Sequence, residues 1–165
     1  MQFLDNLLLG FSVAFHPISL LYCFIGALLG TIVGVLPGIG PLAATAMLLP
    51  LTFGLDPVHS LIMLAGIYYG SQYGGSTTAI LVNLPGESSS AFTTIDGYQM
   101  AKKGRAGPAL AAAAIGSFFA GTVATVLVAM VAKPLTSIAM SFGSAEYFSL
   151  MVVGLVSSVA LASGS

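Results

Sequence analysis

From Asn6 to Leu55 the chain carries no Asp, Glu, Lys or Arg. A soluble domain cannot leave a segment of that length uncharged, because about a quarter of its residues are normally charged and solvate its surface. The remaining charges are sparse: Asp5, Asp56, Glu87, Asp96, a cluster at Lys102, Lys103 and Arg105, then Lys133 and Glu146. With 57% hydrophobic residues and a mean hydropathy of +1.03, the chain belongs in a lipid bilayer, where about 20 consecutive apolar residues make one span. The same scarcity of charge excludes nucleic-acid binding, since one short basic cluster cannot neutralise a phosphate backbone. A single cysteine, Cys23, excludes an internal disulfide and reads as a small hydrophobe. The first fifteen residues contain no Lys or Arg and include Asp5, which is wrong for a cleavable signal peptide; they read as an interfacial segment.

Proline and glycine then cut the apolar sequence into pieces. A first span is expected from about Ile18 to Leu36, ending at Leu36-Pro37-Gly38-Ile39-Gly40-Pro41, where two prolines and two glycines within six residues exclude regular helix. Leu42 to Phe53 reads as a half-helix with Pro41 in its first turn, closed by Gly54-Leu55-Asp56-Pro57. A third piece, Ser60 to Tyr69, meets a second glycine-rich stretch, residues 70–76, which reads as another break. Ser76 is then expected to cap a short helix from Thr77 to Leu84. Residues 87–105 are the most polar stretch and read as a surface loop. Ala106 to Ala132 is the clearest span, bounded by Arg105 and Lys133. The apolar run that opens at Glu146 reads as the start of more membrane sequence, so residues 1–165 are expected to be one transmembrane domain at the N-terminal end of a longer protein. The basic cluster favours a cytoplasmic loop by the positive-inside rule, and Lys133 at the far end of the next helix weakens that bias.

Two stripes of small residues recur at four-residue spacing: Gly26, Gly30, Gly34 and Gly38 on the first helix, and Ala109, Ala113, Ser117 and Gly121 on the clearest one. Such spacing keeps small side chains on one helix face and lets two backbones approach closely. The expected architecture is all-α, a polytopic membrane helix bundle with broken or re-entrant helices, one half of a repeat-built secondary transporter.

Broken helices survive in lipid only where protein buries them or a polar cavity solvates them. Transporters place paired breaks at the membrane midplane, with helix N-termini aimed at anions and unwound carbonyls offered to cations. The candidate substrate groups are therefore the backbone of Gly38, Ile39, Gly40, Gly74 and Gly75, the hydroxyls of Ser76, Thr77 and Thr78, and the Asn83 amide. With no titratable group inside the apolar cores, a coupling sodium ion on neutral oxygens suits the chain better than a proton, and Asn83 and Ser76 are its candidate side-chain ligands. No cofactor is expected otherwise.

Four motifs in order carry a resemblance: Gly30-Thr31-Ile32-Val33-Gly34-Val35-Leu36-Pro37-Gly38-Ile39-Gly40-Pro41, Tyr68-Tyr69-Gly70-Ser71-Gln72-Tyr73-Gly74-Gly75-Ser76, Ile80-Leu81-Val82-Asn83-Leu84-Pro85-Gly86, and the run from Asp96-Gly97-Tyr98 through Arg105-Ala106. Together they resemble the large membrane subunit of the tripartite tricarboxylate transporters, the TctA family. The resemblance implies a bacterial inner-membrane permease, multi-pass and not an enzyme. Its implied activity is ion-gradient-driven uptake of citrate-like or other carboxylates, together with a small membrane subunit and a periplasmic substrate-binding protein. Family members are longer and carry a second half with a comparable proline-glycine motif. Two other functions compete: a non-transporting structural subunit, and an intramembrane serine hydrolase with Ser76 as nucleophile and His16 or His59 as base, which needs that base within hydrogen-bond reach.

Overall fold

The computed structural model describes residues 2–162 and is helical wherever it is regular: α1 (Gln2–Ala14), α2 (Pro17–Gly34), α3 (Pro41–Leu48, continued by a 3-10 turn Leu49–Thr52), α4 (Pro57–Val82), α5 (Ala91–Thr93), a π-helical turn (Thr94–Tyr98), α6 (Gln99–Lys102), α7 (Ala106–Met140) and α8 (Ser144–Ala162). The chain divides into two compact units, the first ending at Ser117 and the second beginning at Phe118.

In the first unit the helix starts follow the local chemistry. Pro17, Pro41 and Pro57 each open a helix, where the missing N–H removes no bond and the fixed φ suits the first turn. Asp56 caps α4, its Oδ2 accepting from the Val58 N–H at 3.1 Å. Asp56→Ala is therefore expected to lower stability by about 1 kcal/mol, read as a small drop in thermal midpoint. The other end of α4 is set by Asn83, which takes the left-handed conformation at φ 59°, two residues ahead of Pro85.

The core of this unit is the α2–α4 pair, the most extensive contact between any two elements. A side chain built on Gly26 would meet the Met63 carbonyl oxygen, one on Gly30 that of Ile67, and one on Gly34 that of Ser71. In return, Gly66, Gly70 and Gly74 face the carbonyl oxygens of Cys23, Ala27 and Thr31. Each advance of four residues on α2 matches an advance of four on α4 in the same sense, so the helices run parallel. The segment between them, α3 and its 3-10 turn, must therefore bring the chain back, and it packs on both helices through buried Pro41, Ala44 and Thr52.

This packing corrects two sequence expectations. Residues 70–76 are not a break: α4 runs unbroken through Gly70 to Ser76, and Ser76 caps nothing, because it lies in mid-helix with its Oγ donating to the Gln72 carbonyl. The short helix expected at Thr77–Leu84 is the last part of α4. The glycines there answer to close helix contact, which α2 makes up for by burying them, and so their unfavourable helix propensity does not end the helix. Three readings are met: residues 35–40 are non-helical, α3 with its 3-10 turn covers Pro41–Thr52 of the expected half-helix, and the α2 stripe packs through Gly26, Gly30 and Gly34. Gly38 leaves the stripe and serves a turn at φ 84°. Residues 87–105 form a chain of short helical turns rather than a plain loop, laid against α4.

Of the stripe expected on α7, Ala109 is buried and Ala113 and Gly121 are half-buried, but Ser117 is exposed. The stretch Ala106–Ala132 is long and apolar enough to cross a membrane, as is Pro17–Gly34. The helix continues past the expected stop at Lys133, through Pro134, to Met140. In the second unit Pro134–Met140 and Ser144–Ala160 meet at a 98° bend, and α8 is capped by Glu146 Oε2 accepting from the Gly143 N–H at 2.9 Å. Phe118, Phe119, Leu127, Met130, Phe148 and Leu155 are all exposed, a surface suited to lipid.

Candidate functional site

The sequence Leu-Pro-Gly occurs twice, at 36–38 and at 84–86, each time just beyond the end of one of the two parallel helices. Parallel helices end on the same side, so the two loops can meet, and they do. A side chain on Gly86 would lie 2.7 Å from the Gly75 Cα and 3.4 Å from the Gly34 oxygen; one on Gly40 would lie 3.8 Å from the Glu87 Cβ. The end of α2, the middle of α4 and the second loop thus converge on three glycines, Gly34, Gly75 and Gly86, all buried. Ser90 fixes the second loop: its buried hydroxyl donates to the Glu87 carbonyl at 2.9 Å and accepts from the Glu87 N–H at 3.2 Å. Ser89 Oγ donates to Glu87 Oε1.

At the mouth of the first loop α3 begins. Gly40 is its N-cap and supplies no side-chain cap, Pro41 has no N–H, and the first backbone bond into the helix is Ala44 N–H to Gly40 O at 3.0 Å. The N–H groups of Leu42 and Ala43 therefore have no place in the helical ladder, and the dipole of α3 adds to their attraction for an anion. Gly38, Ile39 and Gly40 are together in this loop, as the sequence suggested. Gly74 and Gly75 stand beside it, as helix rather than as a second break: a side chain on Gly74 would lie 2.9 Å from the Val35 nitrogen, where the first break begins.

The hydroxyls are spent locally. Ser76 donates to Gln72 O at 3.2 Å, Thr77 to Tyr73 O at 2.9 Å, and buried Thr78 to the oxygens of Gly74 and Gly75 at 3.3 and 3.0 Å. A hydroxyl whose proton is held by its own helix offers lone pairs, which suits a cation better than a carboxylate. Asn83 is exposed at the end of α4, where its conformation ends the helix. Ser76 instead lines a groove of about 490 Å³ with Asp96, Thr93 and Ser117, and Asn83 is not among its lining residues. Gly34, Gly86, Glu87 and Asp96 had no place in the sequence-level site. The repeated Leu-Pro-Gly was the available signal for the first three.

The hydrolase geometry is not present. His59 and Ser76 lie on the same helix 76 − 59 = 17 residues apart, about 25 Å along its axis. His16 precedes α2 at the end where Tyr22 meets His59, with ring centroids 5.3 Å apart. Among the described residues no three His, Cys, Asp or Glu side chains group to hold a metal.

Apolar helices, a glycine-packed parallel pair and two clustered loop breaks define an α-helical membrane protein. The chain belongs to the tripartite tricarboxylate transporter TctA family, whose family model matches residues 20–165. That is a family of transporters and not of enzymes. The chain is 67% identical over all of its 165 residues to an uncharacterized 52.8 kDa protein in the TAR-I ttuC' 3'region of Agrobacterium vitis, and it spans 33% of that protein's length. No solved structure matches.

Proposed function

We propose that this chain forms the substrate-facing part of a permease subunit that takes up citrate-like or other carboxylates across the bacterial inner membrane, driven by an ion gradient. It would act with a small membrane subunit and a periplasmic substrate-binding protein. The observation that carries this reading is the meeting of the two Leu-Pro-Gly loops beside the uncapped start of α3. In a charge-poor protein, unpaired backbone N–H groups at a helix start are what can bind a carboxylate. Gly38 to Gly40 and the neighbouring Gly74 to Gly75 shape that cradle.

Gly40 allows a direct test, because its φ of −69° suits any residue and an added Cβ would make only ordinary contact with Glu87. Gly40→Asp would place a carboxylate at the N-cap, where it would satisfy the N–H groups and repel a substrate anion; Gly40→Asn caps equally well without the charge. The expected result is a rise of about tenfold or more in apparent KM for Gly40→Asp, with a much smaller change for Gly40→Asn. Uptake of labelled citrate into vesicles by the full-length permease with its partner subunits measures both. Equal KM values for the two variants and the wild type would remove α3 from the substrate site.

A further inference from the structure

We propose that the groove beside Ser76 is a binding site for a small monovalent cation, with the Asp96 carboxylate as its charged ligand and the Ser76 hydroxyl as a neutral one. This deepens the reading of the chain as part of an ion-coupled permease and assigns the ion a place apart from the carboxylate cradle. Asp96 sits at the centre of the π-helical turn Thr94–Tyr98. Such turns are rare and recur at functional sites because they re-aim one side chain at the expense of regular bonding. Gly97 follows, and a side chain there would lie 2.8 Å from Ile80 Cγ1, so glycine lets the turn press against α4. Ile80 is one helical turn beyond Ser76, on the same face of α4. The turn is thereby docked where Asp96 and Ser76 line one groove, with Thr93 and Ser117 adding hydroxyls.

The electrostatics favour a cation. Asp96 is the one charged residue lining the groove; it is exposed on the groove's open side, and among the described residues its carboxylate has no hydrogen-bond or ion-pair partner. Lys102, the cation nearest in sequence, lies instead over the Tyr98 ring, 4.8 Å from its centroid. Ser76 holds its proton on the Gln72 carbonyl, so its lone pairs are what it can offer a ligand. One carboxylate with neutral oxygens suits a monovalent ion, whereas divalent cations gather more charge and more oxygens. Residues 74–76 of α4 then form the wall between two sites, with Gly75 backing the loops and Ser76 bordering the groove.

The test measures ion binding to the purified full-length permease in detergent, without any carboxylate, so that it stands apart from transport. Thermal unfolding is followed as sodium chloride replaces choline chloride at constant total salt. The wild type is expected to show a saturable, sodium-specific rise in midpoint. Asp96→Asn should raise the half-saturating sodium concentration by about tenfold or more and Ser76→Ala by about threefold to tenfold. Asp56→Ala, which removes a carboxylate far from the groove, should lower the midpoint in choline and leave sodium half-saturation unchanged. The proposal is overturned if wild type responds to sodium and choline alike, or if Asp96→Asn keeps wild-type half-saturation. Should Asp96→Asn fail to fold, wild-type half-saturation in Ser76→Ala overturns it equally.

Discussion

Gly30→Ala is expected to drive α2 away from α4 and to be the most destabilising single-methyl change in the first unit. The added Cβ would lie 2.1 Å from the Ile67 carbonyl oxygen and 2.7 Å from the Ile67 Cα. Ordinary carbon–oxygen contact begins near 3.3 Å, so the two backbones must part by about 1 Å. No rotamer change can relieve a clash with backbone. Overpacking a core with movable side chains costs about 1–3 kcal/mol. Here the reciprocal contacts at Gly26, Gly34, Gly66, Gly70 and Gly74 lengthen with the displaced pair, so the loss should reach or exceed the top of that range. Thermal unfolding of the full-length protein in detergent measures it, and Gly116→Ala is the control: nothing lies within 4 Å of the position a side chain would take there, and alanine favours helix by about 1 kcal/mol. A Gly30→Ala protein as stable as the Gly116→Ala protein would show that the pair is not packed through these glycines.

The same glycines explain what the sequence disclosed and what it hid. Four-residue spacing on α2 was enough to foresee a packed face, because the residues lie on one regular helix. The glycines of α4 sit at 66, 70, 74 and 75 among Ser, Gln and Tyr, and with neighbours of that polarity they resemble an unwound loop. What keeps them helical is a partner helix that supplies contact in place of the missing side chains, and a partner some forty positions earlier leaves no local trace. Proline is more legible because its effect is covalent: Pro17, Pro41 and Pro57 each start a helix, as their fixed φ and absent N–H require. Asp96 was hidden for a third reason. Asp-Gly next to a basic cluster is common in plain turns, and only the tertiary docking of Gly97 on Ile80 brings Asp96 to the groove that Ser76 also lines.

Gly86→Ala should separate transport from folding. An added methyl there would meet the Gly75 Cα at 2.7 Å, well inside normal carbon–carbon contact, with the Gly34 oxygen 3.4 Å away. Two helices held together by six other glycine contacts will not yield to one loop, so the loop should lift. Leu84 to Ser90 has few buried side chains to lose, which keeps the cost in stability to about 1 kcal/mol or less. Function should suffer more on the proposed reading, because Glu87 and the second loop would withdraw from Gly40 and the start of α3. Displacing positioning groups by about 1 Å can cost on the order of a hundredfold where alignment limits the rate. The expected result is a tenfold to hundredfold fall in carboxylate uptake at near-normal thermal midpoint and membrane abundance. Gly75→Ala approaches the same contact from the helix side, where the added Cβ would lie 3.4 Å from the Gly86 Cα, and should be milder. The order of the two is the discriminating measurement. Sterics at the loop contact require Gly86→Ala to be the worse, whereas a helix-packing defect would make Gly75→Ala at least as damaging and would lower stability and uptake together.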